Sequence, residues 1–159
     1  MQITFENARP GGIAALAALW HSGWHEAHAA IVPLALTRLR TLESFKTRVA
    51  RHLPATRVAR AEDRLLGFSM IRGNELYQLY LAPAARGSGA AQALVRDAEG
   101  RIRQAGHERA ILACSIGNER AARFYRKCGW ACTGEHDEAL EVPNGSFTLT
   151  VWRFERALA

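Results

Sequence analysis

The sequence predicts an α/β fold, and three observations carry that expectation. Seven apolar or alternating segments bounded by Gly, Pro, Asn or Asp read as strands. Four segments place apolar residues at helical spacing. Two short turns, Glu62-Asp63 and Pro143-Asn144-Gly145, fold neighbouring strands into hairpins. With 159 residues, 48% of them hydrophobic and 23% charged, the chain is sized for one domain with a substantial core, so residues 1–159 are expected to form a single domain.

Taken in order, residues 2–8 alternate in polarity and form the first strand. Gly11-Gly12 lead into a helix over residues 13–30, with Ile13, Leu16, Leu19, Trp20 and Trp24 on its apolar face and Pro33 marking its end. A second helix covers residues 42–52 and is stopped by Pro54. Residues 56–61 and 64–71 form the first hairpin, and Arg72-Gly73-Asn74 turns the chain into a strand over residues 75–81 that ends before Pro83. Ala90, Leu94, Val95, Ala98 and Ile102 then recur at helical spacing until Gly106. Residues 110–116 read as a buried strand. Asn118 is a good N-cap and Gly129 a good C′ residue for a helix striped by Ala121, Ala122, Phe124, Tyr125 and Cys128. The last hairpin joins residues 131–142 to residues 146–156.

Composition narrows the function classes. The net charge of +6 is spread along the chain without a block of like charges or aromatic–basic interleaving, so it reads as a basic surface suited to a polyanionic ligand, and no nucleic-acid partner is expected. The N-terminal residues lack the pattern of a signal peptide and no apolar run has the length of a membrane span, which predicts a cytoplasmic protein without a membrane partner. Cys114, Cys128 and Cys132 show no metal-ligand spacing and are expected to be buried, reduced thiols, with no metal bound.

The segment Leu79-Tyr80-Leu81-Ala82-Pro83-Ala84-Ala85-Arg86-Gly87-Ser88-Gly89-Ala90-Ala91 runs from a strand through a glycine-punctuated turn into a helix. Gly87 and Gly89 let backbone N–H groups approach an anion at a helix N-terminus, the arrangement that cradles a pyrophosphate. A plain connection remains the alternative for the glycines alone. Two nucleotide motifs fail: Gly89 is followed by Ala90-Ala91 rather than Lys-Ser/Thr, and Gln92 stands where the dinucleotide fingerprint needs a third glycine.

This Arg-Gly-x-Gly-x-Ala turn, preceded by Leu-Tyr-Leu-x-Pro, resembles the acyl-CoA-binding segment of the GNAT family of N-acetyltransferases. Asn118-Glu119-Arg120-Ala121-Ala122-Arg123-Phe124-Tyr125 followed by Gly129-Trp130 resembles the second signature of that family. The resemblance implies the GNAT fold over essentially the whole chain, a mixed, mostly antiparallel sheet of about seven strands flanked by about four helices. It implies direct transfer of an acetyl group from acetyl-CoA, as co-substrate, to a primary amine through a ternary complex. Leu79, Leu81, Arg86, Gly87, Ser88, Gly89, Ala90, Ala91, Asn118 and Tyr125 would contact the donor. Tyr125 would protonate the leaving thiolate, against the simpler reading of a half-buried core aromatic. A backbone N–H near Leu81 would meet the carbonyl oxygen.

For the acceptor side, Glu75 is the leading base, directly or through water, with a surface Glu at a strand end as the plain alternative. Tyr77 and Gln78, expected on opposite sides of the sheet, compete as groups that order such a water. Ser22-Gly23-Trp24 resembles a family pattern at the acceptor wall, making Trp24 a candidate alongside Glu75 and Tyr77, although Trp20 and Trp24 read equally well as an i,i+4 core pair. His21, His25 and His28 read as pocket or surface polar groups rather than metal ligands, and residues 135–138 offer further acidic and imidazole candidates. Possible acceptors are a small amine, an amino acid, an antibiotic or a protein amine. The alternatives are a catalytically silent acyl-CoA sensor of the same fold, and an enzyme acting on an RNA-borne aminoacyl group. Strand edges of the last hairpin suggest a homodimer.

Overall fold

Two tight turns organise the sheet. Ala61 pairs with Arg64 across Glu62-Asp63, and Val142 pairs with Gly145 across Pro143-Asn144. Each turn holds one non-glycine residue at positive φ, Glu62 at 56° and Asn144 at 65°. The computed structural model describes residues 2–158; Met1 and Ala159, the ends of the expected domain, lie outside the described residues.

The strands are β1 (Thr4–Asn7), β2 (Thr56–Ala61), β3 (Arg64–Arg72), β4 (Glu75–Leu81), β5 (Arg109–Ser115), β6 (Ala131–Val142) and β7 (Gly145–Ala157). They form one seven-stranded sheet in the order β1-β2-β3-β4-β5-β7-β6. Every pairing is antiparallel except that of β4 with β5. The helices are α1 (Ile13–His28), α2 (Leu34–Leu39), α3 (Leu42–Arg51), α4 (Ala90–Gln104) and α5 (Glu119–Lys127).

Helices cover both faces. On one, Leu16, Trp20 and Trp24 of α1 and Phe45 and Val49 of α3 bury against Val58, Phe68 and Met70 of β2 and β3. On the other, Val95, Ala98 and Ile102 of α4 and Ala122 of α5 bury against Leu76, Leu112 and Phe154. All five residues read as the apolar stripe of α4 are buried. Among the described residues no helix is long and apolar enough to cross a membrane.

Three local expectations change. The first helix ends at His28, and Pro33 starts the short helix α2 rather than closing α1. Its extended ψ of 141° suits a residue entering a helix, and Leu36, one turn on, is buried. β1 is shorter than expected, with pairing to β2 running from Thr4 to Asn7. Cys114 is buried, whereas Cys128 and Cys132 are half-buried free thiols.

The contact between β3 and β4 is close enough to exclude a side chain at Gly67. A Cβ there would lie 2.5 Å from the Tyr80 carbonyl oxygen and 3.2 Å from the Leu81 Cα. Gly67→Ala should therefore lower unfolding stability by about 1–3 kcal/mol through overpacking against backbone. Gly100→Ala, in the interior of α4 with no atom within 4 Å of the added Cβ, should leave stability equal or higher, since Ala is the better helix former. Urea unfolding of the two variants checks this, and equal midpoints would contradict it.

Candidate active site

The site begins where β4 leaves β5. Their register contains one pair, Glu75 with Ile111, and the Ile111 N–H donates to the Asn74 carbonyl at 3.1 Å. Immediately afterwards β4 bulges. Met70 pairs with Gln78 but Ile71 with Leu76, leaving Tyr77 as the extra residue. A bulge bends a strand and increases its twist, and here β4 parts from β5.

The bulge also decides which groups face the gap. Ala82 N–H donates to the Leu66 carbonyl at 2.7 Å, and hydrogen-bonded pairs alternate along an antiparallel ladder. Tyr80 and Gln78 therefore spend their backbone groups on β3, whereas those of Leu79 and Leu81 turn away from it, toward the gap. The result is a cleft of about 1030 Å³ bounded by α1, β4, the turn after it, α4, β5, α5 and the β6–β7 hairpin. Its volume is at the upper end of small-ligand sites.

At one end lies the glycine turn. Gly87 and Gly89 have φ of 78° and 86°, the left-handed region that glycine tolerates, and a Cβ at either would meet no atom within 4 Å. Helix α4 has Gly89 as its N-cap, which offers no capping side chain, and no acidic residue in its first turn, so apart from the Ala90 N–H, which Ser88 meets, its positive end is left to whatever enters the cleft. Ser88 supports the turn: its hydroxyl donates to the Ala85 carbonyl and accepts from the Ala90 N–H at 3.3 Å. Gly87, Ser88, Gly89 and Ala91 line the cleft. Ala90 does not, because its side chain is fully buried beside Leu94. Arg86 also lines it, and its guanidinium reaches across the mouth to Glu26 of α1 at 2.8 Å.

The middle of the cleft is formed by β5 and α5. Asn118 caps α5 through its side-chain oxygen, which accepts from the Ala121 N–H at 3.3 Å. Tyr125, its ring packed near those of Trp130 and Phe154, lines the cleft. Burial, reinforced by Cys114 and Tyr80 nearby, raises its phenol well above the ordinary value, so it stays protonated at neutral pH. Burial likewise pushes the Cys114 thiol up to about 12, which leaves it unreactive as a nucleophile.

The far end is polar. Glu75 is held by Arg72 through bonds of 3.1 and 2.9 Å, and Glu138 lies 3.8 Å from the same guanidinium. Burial raises the Glu75 carboxyl; Arg72 opposes this and Glu138 adds to it. Trp24 is buried and stacks on His28, whose Nδ1–H donates to the Trp24 carbonyl at 3.0 Å. Trp24 is thus both core and cleft wall. Tyr77 donates to Glu141 Oε1 at 3.0 Å and accepts from Arg48 at 3.0 Å. Glu141 also accepts from Arg48 at 3.0 Å, from His52 at 3.1 Å and from Arg51.

Every residue read from the sequence as a donor, acceptor or catalytic contact lines this cleft except Ala90. One expected placement changes: Tyr77 and Gln78 do not face opposite sides. Gln78 shares the face of its partner Met70, and Tyr77 packs against the same cluster, because the bulge shifts the alternation by one. Of residues 135–138 only Glu138 reaches the cleft. The His21 and His25 rings lie 4.5 Å apart at a tilt of 49°, and among the described residues no three His, Cys, Asp or Glu gather as metal ligands. Sequence reasoning missed Arg40, Arg48, Arg72 and Glu141. For Arg48 there was a signal: it falls on the same stripe of α3 as Phe45, and its guanidinium lies 4.2 Å from the Trp20 ring centroid.

Comparison with known proteins agrees with this geometry. Residues 17–130 match the family model described as acetyltransferase (GNAT) family. Proteins of Mycobacterium bovis and Mycobacterium tuberculosis, each named an uncharacterized N-acetyltransferase, are 40% identical over 81 residues, 48% of this chain and 52% of the relative. The chain therefore spans about half the length of the curated relatives it matches. A GCN5-related N-acetyltransferase from Rhodopseudomonas palustris superimposes with a TM-score of 0.77 at 18% identity, covering 99% of this chain and 96% of that one. A PaiA N-acetyltransferase from Thermoplasma acidophilum in complex with coenzyme A gives 0.68 at 19%, covering 99% of each. A spermidine N-acetyltransferase from Vibrio cholerae in complex with CoA and spermine gives 0.68 at 20%, covering 99% and 96%.

The Glu141 cluster should be visible in acid. Burial alone would raise this carboxyl, but hydrogen bonds from Arg48, Arg51 and His52 outweigh it and hold the group at about 2, from an ordinary 4.5. A depressed folded-state value gives stability that is present above the unfolded value and lost as pH falls toward the folded one. Stability of the wild type should thus drop between about pH 4.5 and 2 more steeply than that of Glu141→Gln, which should already be less stable at pH 7 because it leaves buried guanidinium groups underpaired. Thermal unfolding across that range checks both; parallel curves would contradict the assignment.

Proposed function

The chain belongs to the GNAT acetyltransferase family, and from that premise we propose that it transfers the acetyl group of acetyl-CoA directly to a primary amine, both substrates being bound at once. The observation that carries the reading is the alignment along one cleft of an uncapped helix N-terminus, two strand residues with backbone groups turned outward, and a protonated tyrosine.

The residues present fit such a donor. The pyrophosphate would sit on the amides of Gly87, Gly89 and Ala91 at the start of α4, with Ser88, whose N–H donates to the Ala85 carbonyl at 3.2 Å, bracing the turn beneath it and Arg86 free to exchange Glu26 for phosphate oxygens. The pantetheine arm, which carries amides of its own, would pair with Leu79 and Leu81 as an additional strand would, and Asn118 would bound it on the β5 side. Ala90 would contribute by packing beneath the turn.

The chemistry then needs three things. The amine must lose a proton, and Glu75, made more basic by burial and held by Arg72, would take it directly or through water. Trp24 and Tyr77 would shape the acceptor pocket. As the C–N bond forms, charge gathers on the carbonyl oxygen, where a backbone N–H of β4 would meet it. As the C–S bond breaks, Tyr125 would give its proton to the thiolate. A thiolate in the same dry cleft is more basic than in water, which narrows its difference from the raised phenol. We also propose that residues 1–159 act as one domain, in the cytoplasm, as a homodimer paired through β6, the twelve-residue edge of the sheet.

Calorimetric titration with acetyl-CoA, followed by thiol release with an amine panel, tests the reading. The wild type should bind with Kd of order micromolar, and Gly89→Glu, which puts a carboxylate at the helix N-terminus, should abolish binding. Tyr125→Phe should keep donor binding and lower kcat by about a hundredfold. Absence of acetyl-CoA binding would overturn the proposal. Binding without thiol release would favour a silent acyl-CoA sensor.

A further inference from the structure

We propose that the amine acceptor also carries an anionic group, a carboxylate or a phosphate, held by Arg40 and Arg48 while its amine lies toward Glu75 and Glu138. The inference rests on the acetyl-transfer reading above and names the substrate class of that same cleft.

Arg40 and Arg48 both line the cleft, yet they are only 2% and 5% exposed. Each keeps a buried donor without a partner: Nε of Arg40 and Nη1 of Arg48. The other two Arg48 nitrogens each have a partner, Nε on Glu141 and Nη2 on the Tyr77 hydroxyl, each at 3.0 Å. Arg40 donates through Nη1 to the main-chain carbonyl of Glu141, a neutral group. Two guanidinium groups, of Arg48 and Arg51, share the single carboxylate of Glu141, and Arg40 has no carboxylate against it. Buried charge without a counter-ion is costly. The Trp20 ring under Arg48 offsets part of that cost, but Arg40 has no such close face, its guanidinium lying 5.8 Å from the Trp24 ring centroid. Burial, then the charge of Arg48, draws Arg40 down to about 10.

The balance reverses on the other side of Tyr77. There Glu75 and Glu138 share one guanidinium, that of Arg72, which lies 4.0 Å from the Tyr77 ring centroid. The acceptor wall therefore has a cationic and an anionic cluster, both touching Tyr77, Arg48 at its hydroxyl and Arg72 over its ring. An amine that also bears an anion matches both clusters. A polyamine, cationic along its length, would bring like charge to Arg40 and Arg48.

The test is acetyl-CoA-dependent thiol release with acceptors in matched pairs: amino acids against their methyl esters, and aminoalkyl phosphates against alkylamines of the same length, with spermine as the cationic extreme. Rates are compared per concentration of neutral amine, because the esters are less basic. The wild type should favour the anionic member of at least one series by about tenfold or more in kcat/KM, the scale of a hydrogen bond to a charged group. Arg40→Gln should shrink that preference to within about twofold, and Arg40→Lys, which keeps the charge, should retain part of it. The wild-type comparison stands even where a variant fails to fold. Equal rates within every pair, or preference for esters, alkylamines or spermine, would each overturn the inference. No acetylation of any acceptor, whether or not acetyl-CoA binds, would instead overturn the acetyl-transfer reading beneath it.

Discussion

Strand β4 is paired with β3 from Glu75 to Leu81 but with β5 at a single position, and the rest of the site follows from that asymmetry. A strand interior to a sheet ordinarily spends its backbone groups on both neighbours. Here the extra residue at Tyr77 turns β4 away, so the groups of Leu79 and Leu81 are left to face a cleft inside the sheet. The opening is bounded by firm walls. Gly67 lets β3 approach β4 closely, and α1 and α4 pack on opposite faces of the diverging strand. The gap is therefore built into the fold at the point where an amide-bearing ligand can complete a ladder.

The two ends of the cleft are specialised by different physics. At the glycine turn the attraction for an anion comes from backbone: two residues at positive φ and a helix start with neither a cap nor an acidic side chain. At the polar end the charges belong to buried side chains, with Arg48, Tyr77 and Glu141 linking α3, β4 and the β6–β7 hairpin. That linkage ties this wall of the cleft to the hydrophobic core through Trp20 and Phe45, so the charges are held in place by packing as well as by each other.

Much of this was legible in the sequence because the signals were local. Both hairpin turns, the strand from Glu75 to Leu81, the stripe of α4 and the Asn118 cap follow from short-range spacing and turn chemistry. Pro33 was legible as a boundary but not for which helix, since proline suits a helix start as well as a stop. The bulge at Tyr77 was not legible. Simple alternation puts Tyr77 and Leu79 on one face, and only the register with β3 separates them. The same limit hid the acceptor end. Glu141 lies about ninety residues from Arg48 in sequence, and no local pattern announces a carboxylate beside a hairpin turn as the partner of a helix so distant along the chain. The glycine-turn end of the cleft was readable because it and the Asn118–Tyr125 stretch are each contiguous in sequence. The polar end was read only at Trp24, Glu75 and Tyr77, because Arg40, Arg48, Arg72 and Glu141 reach it from separate segments.

Amide hydrogen exchange along β4, with and without acetyl-CoA, tests most directly the claim that the unpaired edge of this strand receives the donor. The amides of Leu79 and Leu81 should exchange fast in the free protein and become strongly protected when acetyl-CoA is bound, while that of Tyr80, bonded to β3, should be protected in both states. Leu79 and Leu81 amides that acetyl-CoA leaves unchanged would contradict the account.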